Sequence, residues 1–90
     1  MGKLEGKVAI ITGGGKGIGF GLAKAFAKEG ANLTITGRTM SRLEAAKEKL
    51  EAEYGVKVLP ITADGADEAS VANVVKQTGE TFGHIDTVGN

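Results

Sequence analysis

The ninety residues include no cysteine. This excludes disulfide staples, thiolate metal sites and a thiol nucleophile, and nothing points to secretion. Charge of one sign is also lacking: eleven Lys and Arg stand against eleven Asp and Glu, for a formal net charge of zero. A nucleic-acid binder or a polybasic membrane-surface module would carry a basic excess. No apolar run approaches the ~20 residues that span a bilayer. The opening residues 1–10 enter an apolar stretch at once, without a signal-peptide h-region or cleavage site. The expectation is a soluble, cytoplasmic chain forming one small domain or a piece of a larger one, with no nucleic-acid or membrane partner.

Glycine is what the chain has in excess: fifteen of ninety residues, about 17% against a usual ~7%. Collagen and flexible linkers are excluded, because there is a single proline and the glycines cluster rather than repeat. Six of them fall between Gly13 and Gly21.

Around that cluster the chain alternates between two periodicities. Val8 to Thr12 is a short β-branched run suited to a strand covered on both faces. A helical pattern with Ile18, Leu22, Ala25 and Phe26 follows, and Gly30 supplies its stop. Leu33 to Thr36 is a second strand. Ser41-Arg42-Leu43-Glu44 has the capping-box form and predicts a helix with Leu43, Ala46, Leu50 and Tyr54 inward, ending at Gly55. Val56 to Thr62 is a third strand, in which Pro60 points to an edge or a bulge. Asp67 is a candidate N-cap for a helix carrying Val71, Val74, Val75, Thr78 and Phe82, ended by Gly83. Ile85 to Asn90 begins a fourth strand. Strands alternating with helices imply right-handed crossovers and a parallel sheet flanked by helices. The fold class is therefore α/β, a partial Rossmann-type sheet, with residues 1–90 the first half of a dinucleotide-binding domain.

A phosphate needs oriented N–H donors and close backbone approach, and a glycine-rich turn opening a helix supplies both. The P-loop pattern fails because Gly17 follows Lys16. G-x-G-x-x-G fails because no glycine has partners both two and five places on. T-G-x-x-x-G-x-G fits, filled by Thr12, Gly13, Gly17 and Gly19.

That pattern, preceded by residues 7–11 (KVAII) and set in this order of elements, resembles the short-chain dehydrogenase/reductase family. The resemblance covers nearly the whole chain. It implies that the turn wraps the pyrophosphate of a nicotinamide dinucleotide, with Gly13, Gly15, Gly17, Ile18 and Gly19 lining it and Thr12 bracing it. Dinucleotide folds select NAD or NADP at the end of the second strand, where a carboxylate binds ribose hydroxyls and an arginine accepts a 2′-phosphate. Here that end reads Thr36-Gly37-Arg38-Thr39, with no acid. Arg38 can pair with phosphate, and Lys16 is a second cation aimed at the same region. Basic residues at these two positions mark the NADP-preferring members, so the expected cofactor is NADP(H) over NAD(H).

The resemblance further implies that Asp64 accepts a hydrogen bond from the adenine amino group, although Gly65 stands where the family has an aliphatic residue. Asn90 falls where the family's Asn-Asn-Ala-Gly run begins. The family's catalytic Asn, Ser, Tyr and Lys lie in the second half of its fold, so no catalytic residue is assigned here. Tyr54, the one tyrosine, has Val58 where a catalytic lysine would stand. His84 and Asp86 form a pair with no third member, too few for a metal site or a triad.

The resemblance implies an NADP(H)-dependent reductase acting on a small carbonyl or alcohol, similar to 3-oxoacyl-[acyl-carrier-protein] reductases, as a homo-oligomer. The ninety residues are then a truncated fragment, inactive alone. The competing reading is a non-catalytic nucleotide-binding or self-associating module, since an unpaired fourth strand invites pairing with a second copy.

Overall fold

The computed structural model describes residues 2–13, 17–63 and 68–89. The elements run β1 (Val8–Thr12), α1 (Gly17–Lys28), β2 (Asn32–Gly37), α2 (Met40–Tyr54), β3 (Val58–Thr62), α3 (Glu68–Phe82) and β4 (Thr87–Gly89). The strands form one parallel sheet in the order β3-β2-β1-β4, with Ile10 opposite Thr34 on one side and Val88 on the other. This is the partial Rossmann sheet the sequence implies.

Alternation along the strands splits the core in two. Ala9, Ile11, Leu33, Ile35 and Val58 face α1 and α2, where they join Ala23, Ala27, Leu43, Ala46 and Leu50 in the larger cluster. Ile10 and Ile61 face α3 and meet Val74, with Leu59, Ala63 and Ile85 at the margin. The α3 face is thinly covered: Val71, Val75 and Val88 are 49%, 45% and 64% exposed. The helical stripe expected on α3 therefore buries only Val74 and Thr78 fully.

Thr34 and Thr78, both fully buried, link α3 to β2 through hydroxyls 2.8 Å apart. The Thr78 hydroxyl donates to the Val74 carbonyl at 2.7 Å. Its single proton is thereby used, so Thr34 must donate to Thr78. Thr78→Val strands that buried donor and is expected to cost about 1–3 kcal/mol. Thr34→Val leaves the Thr78 proton bonded and should cost under about 1 kcal/mol, with the double variant no worse than Thr78→Val. Urea denaturation of the three variants checks the order, and equal losses for the two single variants would contradict it.

Two expectations are corrected. Ser41 does not cap α2: the helix already starts at Met40, because the amides of Arg42 and Leu43 both donate to the Thr39 carbonyl at 3.2 Å. Thr39 is the N-cap, in extended conformation and without a side-chain cap bond, and Ser41 lies inside the first turn. The inward face of α1 is also not the one expected. Ala23 and Ala27 are fully buried, Leu22 and Phe26 only partly, while Ala25 and Ile18 face outward. With Gly19 these two alanines repeat every four residues, a narrow line of small side chains that lets α1 lie close on the sheet.

Pro60 sits in β3, which is an edge strand, where a missing N–H is tolerated. Asp67 lies outside the described residues.

Candidate functional site

All four strands present their carboxyl ends on the same side. The chain steps from β1 to β2 to β3 in one direction, then returns past β1 to β4. The strand order therefore reverses between β1 and β4, and in open α/β sheets ligands bind in the crevice outside the carboxyl ends at such a point. β1 ends there at Thr12, which is partly buried, and α1 opens from the same place at Gly17. The first turn of an α-helix leaves N–H groups without intrahelical partners and carries a partial positive charge. No acidic side chain offsets it in the first turn of α1.

The described glycines of the turn have separate reasons to be glycine. Gly13 (φ 70°) and Gly17 (φ 62°) are left-handed, and a Cβ at either would stand in open space with no heavy atom within 4 Å. Such positions form a cradle that a side chain would strain and fill. Gly19 has the opposite constraint. A Cβ there would collide with the Gly13 carbonyl and come 3.1 Å from the Thr12 carbonyl oxygen. Helix and strand thus touch backbone to backbone beside the cradle. Ile18, between the two helical glycines, is 88% exposed at the crevice.

The second part of the site lies at the end of β2. Arg38 and Thr39 are exposed and follow directly on Gly37. From Ala31 through Leu43 the chain carries no acidic residue. Leu43, fully buried, packs so close to Gly37 that a Cβ on Gly37 would sit 3.3 Å from its Cδ2. This contact seats the first turn of α2 on the end of β2. The Ala63 amide donates to the Gly37 carbonyl at 2.9 Å, so β3 ends alongside the same point. Gly15, Lys16, Asp64, Gly65 and Asn90 lie outside the described residues. The turn geometry at Gly13, Gly17 and Gly19 has room for a phosphate group close to the backbone, and residues 31–43 contribute no carboxylate at the end of β2.

The remaining polar residues of interest are at the opposite end. His84 Nε2 lies 3.0 Å from Asp86 Oδ2 and 3.0 Å from the Gly6 carbonyl oxygen. Both neighbours are acceptors, so this nitrogen carries the proton. Asp86 also grips Val8 twice, accepting its N–H at 2.8 Å and donating its own amide to the Val8 carbonyl at 2.9 Å. The pair therefore clips the start of β4 to the start of β1, a structural duty that the spacing in sequence did not disclose. Tyr54 ends α2, also away from the glycine turn. Partial burial, and then the charge and hydrogen bond of Glu53, hold its phenol above the ordinary value, the wrong direction for a proton donor near neutral pH.

Comparison with known proteins agrees with this layout. Residues 7–90 match the short chain dehydrogenase family, and the chain belongs to it. It is 52% identical over 96 aligned residues to a 12alpha-hydroxysteroid dehydrogenase from a Clostridium species, covering all of this chain and 37% of that protein. Among solved structures it resembles L-sorbose reductase from Gluconobacter frateurii in complex with NADPH and L-sorbose, at TM-score 0.91 and 41% identity, covering 98% of this chain and 33% of that one. It also resembles an alcohol dehydrogenase from Thermococcus sibiricus in complex with 5-hydroxy-NADP, at TM-score 0.86 and 39% identity, covering 91% and 35%. The chain thus spans about a third of the length of these relatives. Among the described residues, no helix is long and apolar enough to cross a membrane.

Proposed function

We propose that residues 1–90 are the cofactor-binding half of an NADP(H)-dependent oxidoreductase acting on a small carbonyl or alcohol. The nicotinamide cofactor, when bound, supplies or accepts the hydride. This chain's residues hold the cofactor: Thr12, Gly13, Gly15, Gly17, Ile18 and Gly19 around the pyrophosphate, Lys16, Arg38 and Thr39 at the ribose phosphate, and Asp64 and Gly65 at the adenine, with Asn90 a further cofactor-binding residue. No residue here carries the proton-transfer step, and the chain alone is inactive. The observation that carries the NADP preference is Arg38, exposed at the end of β2 in a stretch without any acid. The NADPH and 5-hydroxy-NADP complexes of two relatives support it.

A charge-assisted hydrogen bond of about 1.5–3 kcal/mol makes Arg38 worth ten- to hundredfold in preference. Calorimetric titration is expected to show tighter binding of NADPH than of NADH, with the difference lost in Arg38→Ala. Equal affinity for the two cofactors, or a preference that survives Arg38→Ala, would contradict the reading. One observation favours the second reading, a self-associating module. Among the described residues β4 pairs with β1 alone, so the isolated ninety-residue chain offers a strand edge to a second copy.

A further inference from the structure

We infer that the β3 edge of the sheet is closed to strand addition by a proline and a carboxylate, so that a second copy of this chain can extend the sheet only beyond β4. Among the described residues β3 pairs with β2 alone, and its other side is an edge. Such an edge presents a row of backbone groups that templates pairing with another chain.

The hydrogen bonds fix which groups of β3 face outward. The Leu33 amide donates to the Lys57 carbonyl and the Ala63 amide to the Gly37 carbonyl, both at 2.9 Å. Leu33 lies opposite Val58, Ile35 opposite Pro60 and Gly37 opposite Thr62. In a parallel ladder of this register, residues 57, 59, 61 and 63 bond to β2. Val58, Pro60 and Thr62 therefore direct their backbone groups away from the sheet.

Two of these three positions offer no donor. Pro60 has no N–H. The Val58 amide is already taken by Glu51, whose side chain comes from α2 and accepts it through Oε2 at 3.0 Å. A depression of about 520 Å³ beside the edge is lined by Lys47 and Lys57 as well as Glu51. An incoming strand would have to displace Glu51 and cover two ammonium groups, and it would find one donor, at Thr62. The opposite edge differs. On β4 the Asp86 amide goes to the Val8 carbonyl, so the outward amides are those of Thr87 and Gly89, and neither position is a proline.

The test pairs sedimentation velocity with amide hydrogen exchange on the ninety-residue chain, Glu51→Ala, Pro60→Val and the double variant, each shown folded by circular dichroism. In the wild type, exchange at Thr62 is expected to be independent of chain concentration. Glu51→Ala should speed exchange at Val58, and unchanged exchange there would overturn the role of the carboxylate. The double variant has outward donors at 58, 60 and 62. It is expected to associate at about tenfold lower concentration than the wild type, with Thr62 exchange slowing as concentration rises. Slowing at Thr62 with concentration in the wild type would overturn the inference, because β3 would then take a partner as it stands. A double variant that associates no more readily than the wild type would also overturn it. So would one that associates with no change at Thr62, since the new contact would lie elsewhere.

Discussion

Gly19→Ala is expected to destabilise the chain by about 3 kcal/mol, at the upper end of overpacking costs. The added methyl meets backbone, the carbonyl groups of Gly13 and Thr12, and neither can turn aside as a side chain could. Relief must come from moving α1 off the end of β1. That displaces the amides of the first helical turn from the cradle, so NADPH binding should fall with stability. Gly21→Ala in the same helix is the control. A Cβ at Gly21 meets nothing within 4 Å, and alanine for glycine inside a helix is worth about 0.8–1 kcal/mol in favour of folding. Urea denaturation should therefore shift the two midpoints in opposite directions. Parallel shifts would show that helix propensity, not close approach, governs position 19.

The second large effect is expected from Leu43→Ala. Truncation of a fully buried leucine costs about 2–5 kcal/mol, depending on how far the site collapses. Total stability is about 5–15 kcal/mol for ordinary domains, and a ninety-residue chain has little margin, so this variant should be largely unfolded at 37 °C. Leu43 is not interchangeable with other core residues, because it anchors the first turn of α2 against Gly37 beside Arg38. In conditions where the variant remains folded, preference for NADPH should narrow. A loss under about 1 kcal/mol in thermal or urea denaturation would show that α2 is seated by other contacts.

Much of this was legible because each element was announced by its own physics. Val8–Thr12 is read with its observed bounds, since a β-branched run between glycines has few alternatives. Gly30, Gly55 and Gly83, read as helix stops, all adopt left-handed φ (94°, 72° and 88°), and Gly55 donates its amide to the Glu51 carbonyl at 3.0 Å. What was not legible depends on distant partners. The Gly19-Ala23-Ala27 line escapes a search for bulky apolar residues, although its four-residue repeat was a signal. Ser41 has the right letters for a cap, but the Thr39 carbonyl accepts the first helical bonds instead. The exposed Val71 and Val75 fit a buried stripe by spacing alone, and periodicity does not report how much of a sheet face is covered. His84 and Asp86 act through Gly6 and Val8, about eighty residues away in sequence, a contact only the parallel β1–β4 pairing creates. At the site, the glycines were identified by motif, whereas the opposite constraints at Gly13 and Gly19 required coordinates.

The proposed NADP-type dinucleotide site spans the carboxyl end of β1 and the end of β2. Its most direct test is amide chemical-shift mapping of the isotope-labelled chain titrated with NADPH and, separately, NADH. Both cofactors should perturb Gly13, Gly17 and Gly19, and NADPH alone should strongly perturb Arg38 and Thr39 at the lower concentration. Perturbations confined to the opposite end, around His84 and Tyr54, or identical maps for the two cofactors, would contradict the account.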